Sequence, residues 1–600
     1  MNNPIKSTRQ ESGNRRSNQP ECGAGWGRIL SAALLACSLL PSTATAELAV
    51  SGINLRPSGK ISADLQHVPS NRRITVIVQF KQRPEDKDLV GMKGRGAEVH
   101  AKLHSIPAVV MHIPASMLAE LEKNPKVAYV TPDRAVAMTS TASDNEEFAT
   151  AIEADVAAAQ YGLDGTGVGV AVIDSGIAAH PDLNDANGKS RVVYSQSFVT
   201  GDASTNDKYG HGTHVSGLIG GSGANSGTGN GYAATYAGVA PNVSLINLRV
   251  LDQNGAATDS EVIAAIDKAI ALANTYNIGV INLSLGRPVF ESYTLDPVCQ
   301  AVEAAWRAGI VVVVAAGNDG RDQSLGTHGF ATIGAPANDP AVITVGAMRT
   351  MLTSTRVDDA IASYSSKGPT LLDHIAKPDL VAPGNRLVSL RAPGSTLDTE
   401  YPQFEVNPNS GNGLYYQMSG TSMATPLVTG TVALMLQENP ALTPDQIKAR
   451  LMKAAWKGAP TYSTAFDRFG NSYANEYDLF TYGAGYLDVN ATLSNTDLAT
   501  GVALSPTVSF NQNTGAVSLG PTPLSVVWGG TSVAWGANSV LWGNSVVWGR
   551  NTVDAESVVW GATSVVWGVT DISATSVVWG GAAVGESPVA AFSDSDGGDQ

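Results

Sequence analysis

Cysteine is nearly absent, with three in 600 residues. Cys22 and Cys37 fall in the first 46 residues, so Cys299 stands alone in the body of the chain and an internal disulfide there is excluded. Positive charge is short: 38 Lys and Arg face 53 Asp and Glu, a net charge of -15. That balance argues against nucleic acid as a partner, because a phosphate backbone would be repelled. Long hydrophobic runs are missing too. The apolar run 29–40 is too short to span a bilayer comfortably, and no later segment reads as transmembrane. What is present is an ordinary 43% of apolar residues, a low 15% of charged ones and 62 glycines, in a chain too long for one core.

Several segments are therefore expected. Residues 1–46 read as a secretory signal, with Lys6, Arg9, Arg15, Arg16 and Arg28 ahead of the apolar run and Ala44-Thr45-Ala46 as a small-residue cleavage site. This places the protein outside the cytoplasm, secreted or extracytoplasmic. A second reading takes Leu34-Leu35-Ala36-Cys37 as a lipoprotein signal that would acylate Cys37. From residue 73 the pattern becomes strand (74–80), charged helix (85–104), strand (106–114), helix (116–124) and strand (127–130), a small α+β unit of ferredoxin-like order. Residues 1–46 carry net +3 and residues 47–138 net +4, leaving -22 for the remainder, so a basic unit precedes an acidic one.

The chemistry gathers around SGTSMATP, residues 419–426. Small residues flank Ser422 and an apolar helical pattern follows, so Ser422 falls at a helix N-terminus, where unpaired N–H groups stabilise developing negative charge. Two readings are open at this point: a helix N-cap, the commoner job of such a serine, or a nucleophile. The second requires a histidine base and an orienting carboxylate. Candidates lie upstream. Asp174 ends the apolar strand of VIDSG (172–176), and His211 sits between glycines in YGHGTH (209–214) ahead of an apolar helix.

In the order Asp, His, Ser, the motifs DSG, HGTH and GTSMATP resemble the subtilisin-type serine peptidases, the subtilase family, and that order separates them from trypsin-like enzymes and α/β-hydrolases. The resemblance implies that Asp174 orients the imidazole, His211 is general base and then acid, and Ser422 attacks the scissile carbonyl. His214, the second histidine of the motif, is expected to be a packed structural residue. In AAGN (315–318) the Asn318 amide would donate to the oxyanion together with the Ser422 N–H. Ser284, Leu285 and Gly286 match the strand edge on which an extended substrate pairs. With Ala316 and Gly317 they would wall the primary pocket, and Gly334 would floor it. That implies a roomy apolar slot for a large apolar side chain before the cut bond, with no carboxylate cluster for paired basic residues. Arg287, where many relatives have glycine, is expected at the pocket rim, with Asp319 and Asp322 near enough to tolerate a basic residue.

No cofactor is required for this chemistry. A structural calcium ion is left open and unplaced, because the glycine-rich insertion 220–236 carries no carboxylate and Asp182 in HPDL is a single ligand. The insertion 391–416 resembles the AprX-like subgroup of bacterial subtilases. Apolar strands at 168–173, 243–250, 278–285, 310–316 and 341–347, with helices between, predict an α/β, subtilisin-like three-layer fold with a mainly parallel sheet over 139–494. Thr258 with Glu261 and Thr443 with Gln446 form capping boxes. The unit 47–138, closing in VAYVTPD (127–133), resembles the subtilase propeptide, which implies an inhibitor cut off close to Met138 with Ala135, Val136 and Ala137 extended in the groove. Protein or peptide substrates are the implied partners.

After 495 a short SVVWG-like repeat takes over, with tryptophan at 528, 535, 542, 548, 560, 567 and 579, over a region 495–585. Glycine after each tryptophan and β-branched valines oppose a coiled coil and favour short strands. Those tryptophans either pack a core of their own or offer an aromatic surface to polysaccharide or a cell surface. On the second reading the chain would be a surface binding or adhesion protein. The acidic tail 586–600 reads as disordered.

Overall fold

The computed structural model describes residues 59–137 and 148–511, except 67, 323, 325–326, 354, 409–412, 461 and 468–470, and short strands between 516 and 573. The signal, the cut at Met138 and the acidic tail lie outside the described residues.

The first unit comprises β1 (Arg73–Phe80), α1 (Asp86–Lys93), β2 (Glu98–Lys102), β3 (Ala108–Pro114), α2 (Leu118–Lys123), β4 (Val127–Pro132) and β5 (Ala135–Ala137). Its antiparallel sheet has the order β2-β3-β1-β4, the βαββαβ arrangement of a ferredoxin-like unit. The charged helix expected over 85–104 is corrected: it stops at Lys93, and Glu98–Lys102 forms an edge strand against β3. Gly94 and Gly96 break the helix, and Gly96 adopts φ +95°. Both faces of this sheet are buried. Val76, Val78, Val109 and Met111 pack with Leu89, Met92 and Leu121 of the unit's own helices, whereas Ile77, Ala108 and Val110 join the main core.

That main core is built from β6 (Gly169–Asp174), β7 (Val192–Ser197), α3 (His211–Gly220), β8 (Ser244–Arg249), β9 (Ala256–Thr258), α4 (Asp259–Tyr276), β10 (Ile278–Leu283), α5 (Pro297–Arg307), β11 (Val311–Ala315), β12 (Ile343–Arg349), β13 (Ala360–Ile361) and β14 (Leu380–Pro383). The chain continues through β15 (Leu387–Leu390), α6 (Thr396–Glu400), β16 (Glu405–Val406), β17 (Tyr415–Met418), α7 (Thr421–Glu438), α8 (Pro444–Ala454), β18 (Tyr462–Phe466), β19 (Ser472–Glu476) and α9 (Val489–Ser494). The large sheet runs β13-β12-β11-β10-β6-β8-β7, with β14 also beside β12. All its pairings are parallel except β12 with β13. Helices α3 and α7 pack together on it, as do α4 and α5, which is why β6 and β11 are buried at every position. Both expected capping boxes form, at the starts of α4 and α8.

In the repeat region, Trp528, Trp542, Trp548 and Trp567 fall in short strands, among them an antiparallel pair formed by Ser539–Trp542 and Val546–Gly549. Trp535, Trp560 and Trp579 lie outside the described residues.

Candidate active site

The site lies at the carboxyl end of the parallel strands, where β6 delivers Asp174 and β11 leads into Asn318. His211 is the first residue of α3, preceded by the N-cap Gly210 at φ +110°. A side chain at Gly210 would be strained and would place its Cβ 2.4 Å from Ser395 Oγ. Nδ1 of His211 lies 2.9 and 3.1 Å from the Asp174 carboxylate oxygens, so Nδ1–H donates and Nε2 is left with its lone pair. Nε2 is buried and has no hydrogen-bond partner among the described residues.

A second carboxylate braces this pair. Asp207 accepts from Ser175 Oγ at 2.8 Å, Gly210 N at 2.6 Å, and Thr213 N and Oγ1 at 2.8 and 2.7 Å, while Ser175 Oγ accepts from Gly212 N. Burial pushes the Asp207 carboxyl up, and these donors oppose the shift. Asp207 thereby ties the turn after Asp174 to the first turn of α3. Sequence reasoning missed it, although a carboxylate four residues before His211 was its visible signal.

Ser422 is the second residue of α7, whose N-cap is Gly420, so it is not the helix cap. Its hydroxyl donates to the Ser284 carbonyl at 3.1 Å, and Ser284 Oγ donates to the Ser422 carbonyl at 2.9 Å. Behind them Asn282 Nδ2 donates to Ser284 Oγ, and Thr429 Oγ1 to Asn282 Oδ1, at 2.9 and 2.8 Å. Thr421 N and Oγ1 both donate to Asn318 Oδ1, at 2.9 and 3.0 Å. Those bonds fix the oxygen end of the Asn318 amide against α7, so the other end of the amide is its donor.

Leu285 and Ala316 are buried, and the chain segments they belong to meet across Gly334. Arg287 and Ala335 exchange backbone hydrogen bonds of 3.0 and 2.8 Å, and Gly334 N donates to the Ala316 carbonyl at 3.2 Å. A Cβ at Gly334 would come within 2.9 Å of the Arg287 carbonyl, so this contact requires glycine. The expectation for Arg287 is corrected. It is 1% exposed, donates from Nε and Nη2 to Asp259 at 2.7 and 3.0 Å and from Nη2 to Asp296 at 2.7 Å, and is an internal strut, not a rim residue. Burial pushes the Asp319 carboxyl up to about 7, with Asp322 adding to the shift.

His214 is fully buried, its Nε2 3.1 and 3.0 Å from the carbonyls of Leu387 and Tyr416, and burial pushes its pKa down to about 3. The Asp182 carboxylate accepts from Asn225 N and Nδ2 at 3.0 and 2.7 Å and from Tyr415 OH at 2.6 Å. A cation there would have to displace those donors, and among the described residues no group of three or more His, Cys, Asp or Glu is placed to hold a metal. Finally, β5 pairs antiparallel with β9, Ala135 opposite Thr258 and Ala137 opposite Ala256, which lays the end of the first unit along the peptidase region.

Residues 165–485, more than half of the chain, match the model of the Subtilase family. The chain belongs to the subtilase family. It is 40% identical over 303 residues to serine protease AprX of Bacillus subtilis, covering 49% of this chain and 63% of AprX, less than two thirds of that relative. With subtilisin E of the same species this subtilase shares 32% identity over 451 residues, 74% of this chain and 94% of the relative. The structure of fervidolysin from Fervidobacterium pennivorans superposes with a TM-score of 0.53 over 74% of this chain and 65% of that one, at 22% identity, a likeness of fold.

Proposed function

We propose that this subtilase is a secreted serine endopeptidase, made as a self-processing zymogen, that cuts after large apolar residues. The observation that carries it is the buried Asp174–His211 pair with an unpartnered Nε2, at the start of a helix packed on the one that holds Ser422. In the reaction Nε2 takes the proton from Ser422 Oγ as Oγ bonds to the scissile carbonyl carbon. The carbonyl oxygen becomes an oxyanion that accepts from the Asn318 amide and the Ser422 N–H. His211 then gives its proton to the departing amine as the C–N bond breaks, leaving an acyl ester on Ser422. Water, deprotonated by Nε2, attacks that ester and restores the hydroxyl. Asp174 keeps the imidazole in one tautomer throughout and stabilises its cationic form.

With the first unit in place the Ser422 hydroxyl is bonded to Ser284, so the Oγ–Nε2 hydrogen bond forms only when the side chain turns as substrate engages. Substrate would pair along Ser284–Gly286 on one side and β9 on the other, taking the place of β5. The glycine at 334 and the neutralised Arg287 leave an apolar slot for the side chain before the cut. Residues 47–138 act as the inhibitor that the enzyme removes from itself, close to Met138.

Expression of the Ser422→Ala protein free of other proteases tests this reading. It should give a folded but unprocessed precursor inactive on casein, whereas the natural chain trims itself to a start between residues 136 and 142. Normal trimming of the Ser422→Ala chain would refute self-processing.

A further inference from the structure

One buried ion-pair cluster joins the first unit to the peptidase region. Arg134, just before β5, sets its guanidinium on the Glu291 carboxylate through Nη1 and, at 2.6 Å, through Nη2, with Cζ 4.7 Å from the centre of the Phe290 ring. Glu291 is 0% exposed, and among the described residues its hydrogen bonds go to the first unit, to Arg134 and to Ser62 Oγ at 3.1 Å. The Arg134 carbonyl accepts from Asp259 N at 2.8 Å, one step beyond the β5–β9 ladder. Main-chain pairing therefore sets where this side chain falls, and any extended chain taking the same register repeats it.

When the first unit departs, Arg134 leaves with Ser62 and Asp64, which pairs with the Arg134 Nε at 3.0 Å. Arg287 stays, already committed to Asp259 and Asp296. Glu291 then has no hydrogen-bonding partner, beside two further carboxylates that share one guanidinium. Burial pushes the Glu291 carboxyl up and Arg134 opposes that, so the loss leaves an uncompensated acid at a newly opened surface.

We propose that in the mature enzyme Phe290 and Glu291 form a subsite for an arginine side chain of the substrate, at the position that Arg134 holds upstream of the cut. The inference rests on the self-processing peptidase reading. A carboxylate that accepts two guanidinium N–H bonds beneath an aromatic face selects arginine over lysine, whose ammonium cannot match the fork.

The test uses processed enzyme and quenched fluorescent peptides spanning residues 131–142, with arginine, lysine or glutamine at the position of Arg134. The account expects kcat/KM for the arginine peptide to exceed that for the glutamine peptide about tenfold, with lysine between them. In Glu291→Gln enzyme the arginine-to-glutamine ratio should fall to about one. Equal kcat/KM for the three peptides in the natural enzyme would overturn the subsite and leave Arg134 as an anchor of the first unit only. Failure to cut any of them, or casein, would contradict the peptidase reading and the subsite with it.

Discussion

Among the described residues two sheets are buried on both faces, by different means. The parallel sheet is covered by helices of its own region, α3 and α7 with α4 and α5. The antiparallel sheet of residues 73–132 covers one face with α1 and α2 and gives the other, with Ile77 and Val110, to the main core. Polar contacts follow the same seam: Gln79 donates to the Leu295 carbonyl at 2.7 Å and accepts from Gln300 at 2.8 Å. One region completes its own core and the other borrows half of its burial. That asymmetry ties the burial of the small unit to the peptidase region.

The sharpest break of the comparison is to separate the two. Residues 59–137 alone should show no cooperative thermal transition by circular dichroism, because an apolar sheet face is left in water. A sharp transition above about 45 °C would make the small unit self-sufficient. Within the peptidase region, Leu427→Ala in α7 removes a fully buried side chain and should cost about 3–5 kcal/mol in denaturant unfolding. At the seam, Ile77→Ala should weaken inhibition of mature enzyme by the added first unit about 30-fold or more, an effect of roughly 2 kcal/mol. An unchanged inhibition constant would mean that the shared face carries no binding energy.

The smallest effect separates the regions by pH. In the first unit Lys102 and Lys126 hold Asp86 and Asp88 below the usual carboxylate range, whereas burial in the peptidase region pushes Asp319 up to about 7 and Asp339 to about 8. A raised carboxyl binds more protons folded than unfolded, so its contribution falls as pH rises from about 4 through 7. Asp319→Asn should therefore flatten the loss of stability between pH 5 and 8 by about 1–2 kcal/mol, seen as a smaller decline in unfolding midpoint. An identical decline in both proteins would mean that Asp319 stays ionised in the fold.

Much of the fold was legible where pattern is local. The strand expected at 168–173 is Gly169–Asp174, and Thr258 and Thr443 cap helices as their Glu and Gln partners foretold. The helix over 85–104 does not extend past Lys93 because Glu98–Lys102 is a short edge strand whose alternation, with only Val99 and Ala101 apolar, is too brief to stand out among the charged residues around it. The motifs named Asp174, His211 and Ser422, and the fold brings the first two within 2.9 Å across 37 positions. The partners of Arg287 were not legible, since Asp259 is 28 residues away and only the β10 and α4 ends bring them together. Asp207 was visible only as a carboxylate four residues before His211, and its donors, the Gly210 and Thr213 N–H groups with the Ser175 and Thr213 hydroxyls, are gathered by the fold.

The central claim is that Ser422, activated by His211 and Asp174, is the nucleophile. Its most direct test is covalent labelling of processed protein by a fluorophosphonate, with the adduct located by peptide mass spectrometry. The account predicts a single adduct on Ser422 that disappears when His211 is replaced by Ala in enzyme freed of residues 47–138. Labelling that spares Ser422, or that proceeds unchanged without His211, would contradict it.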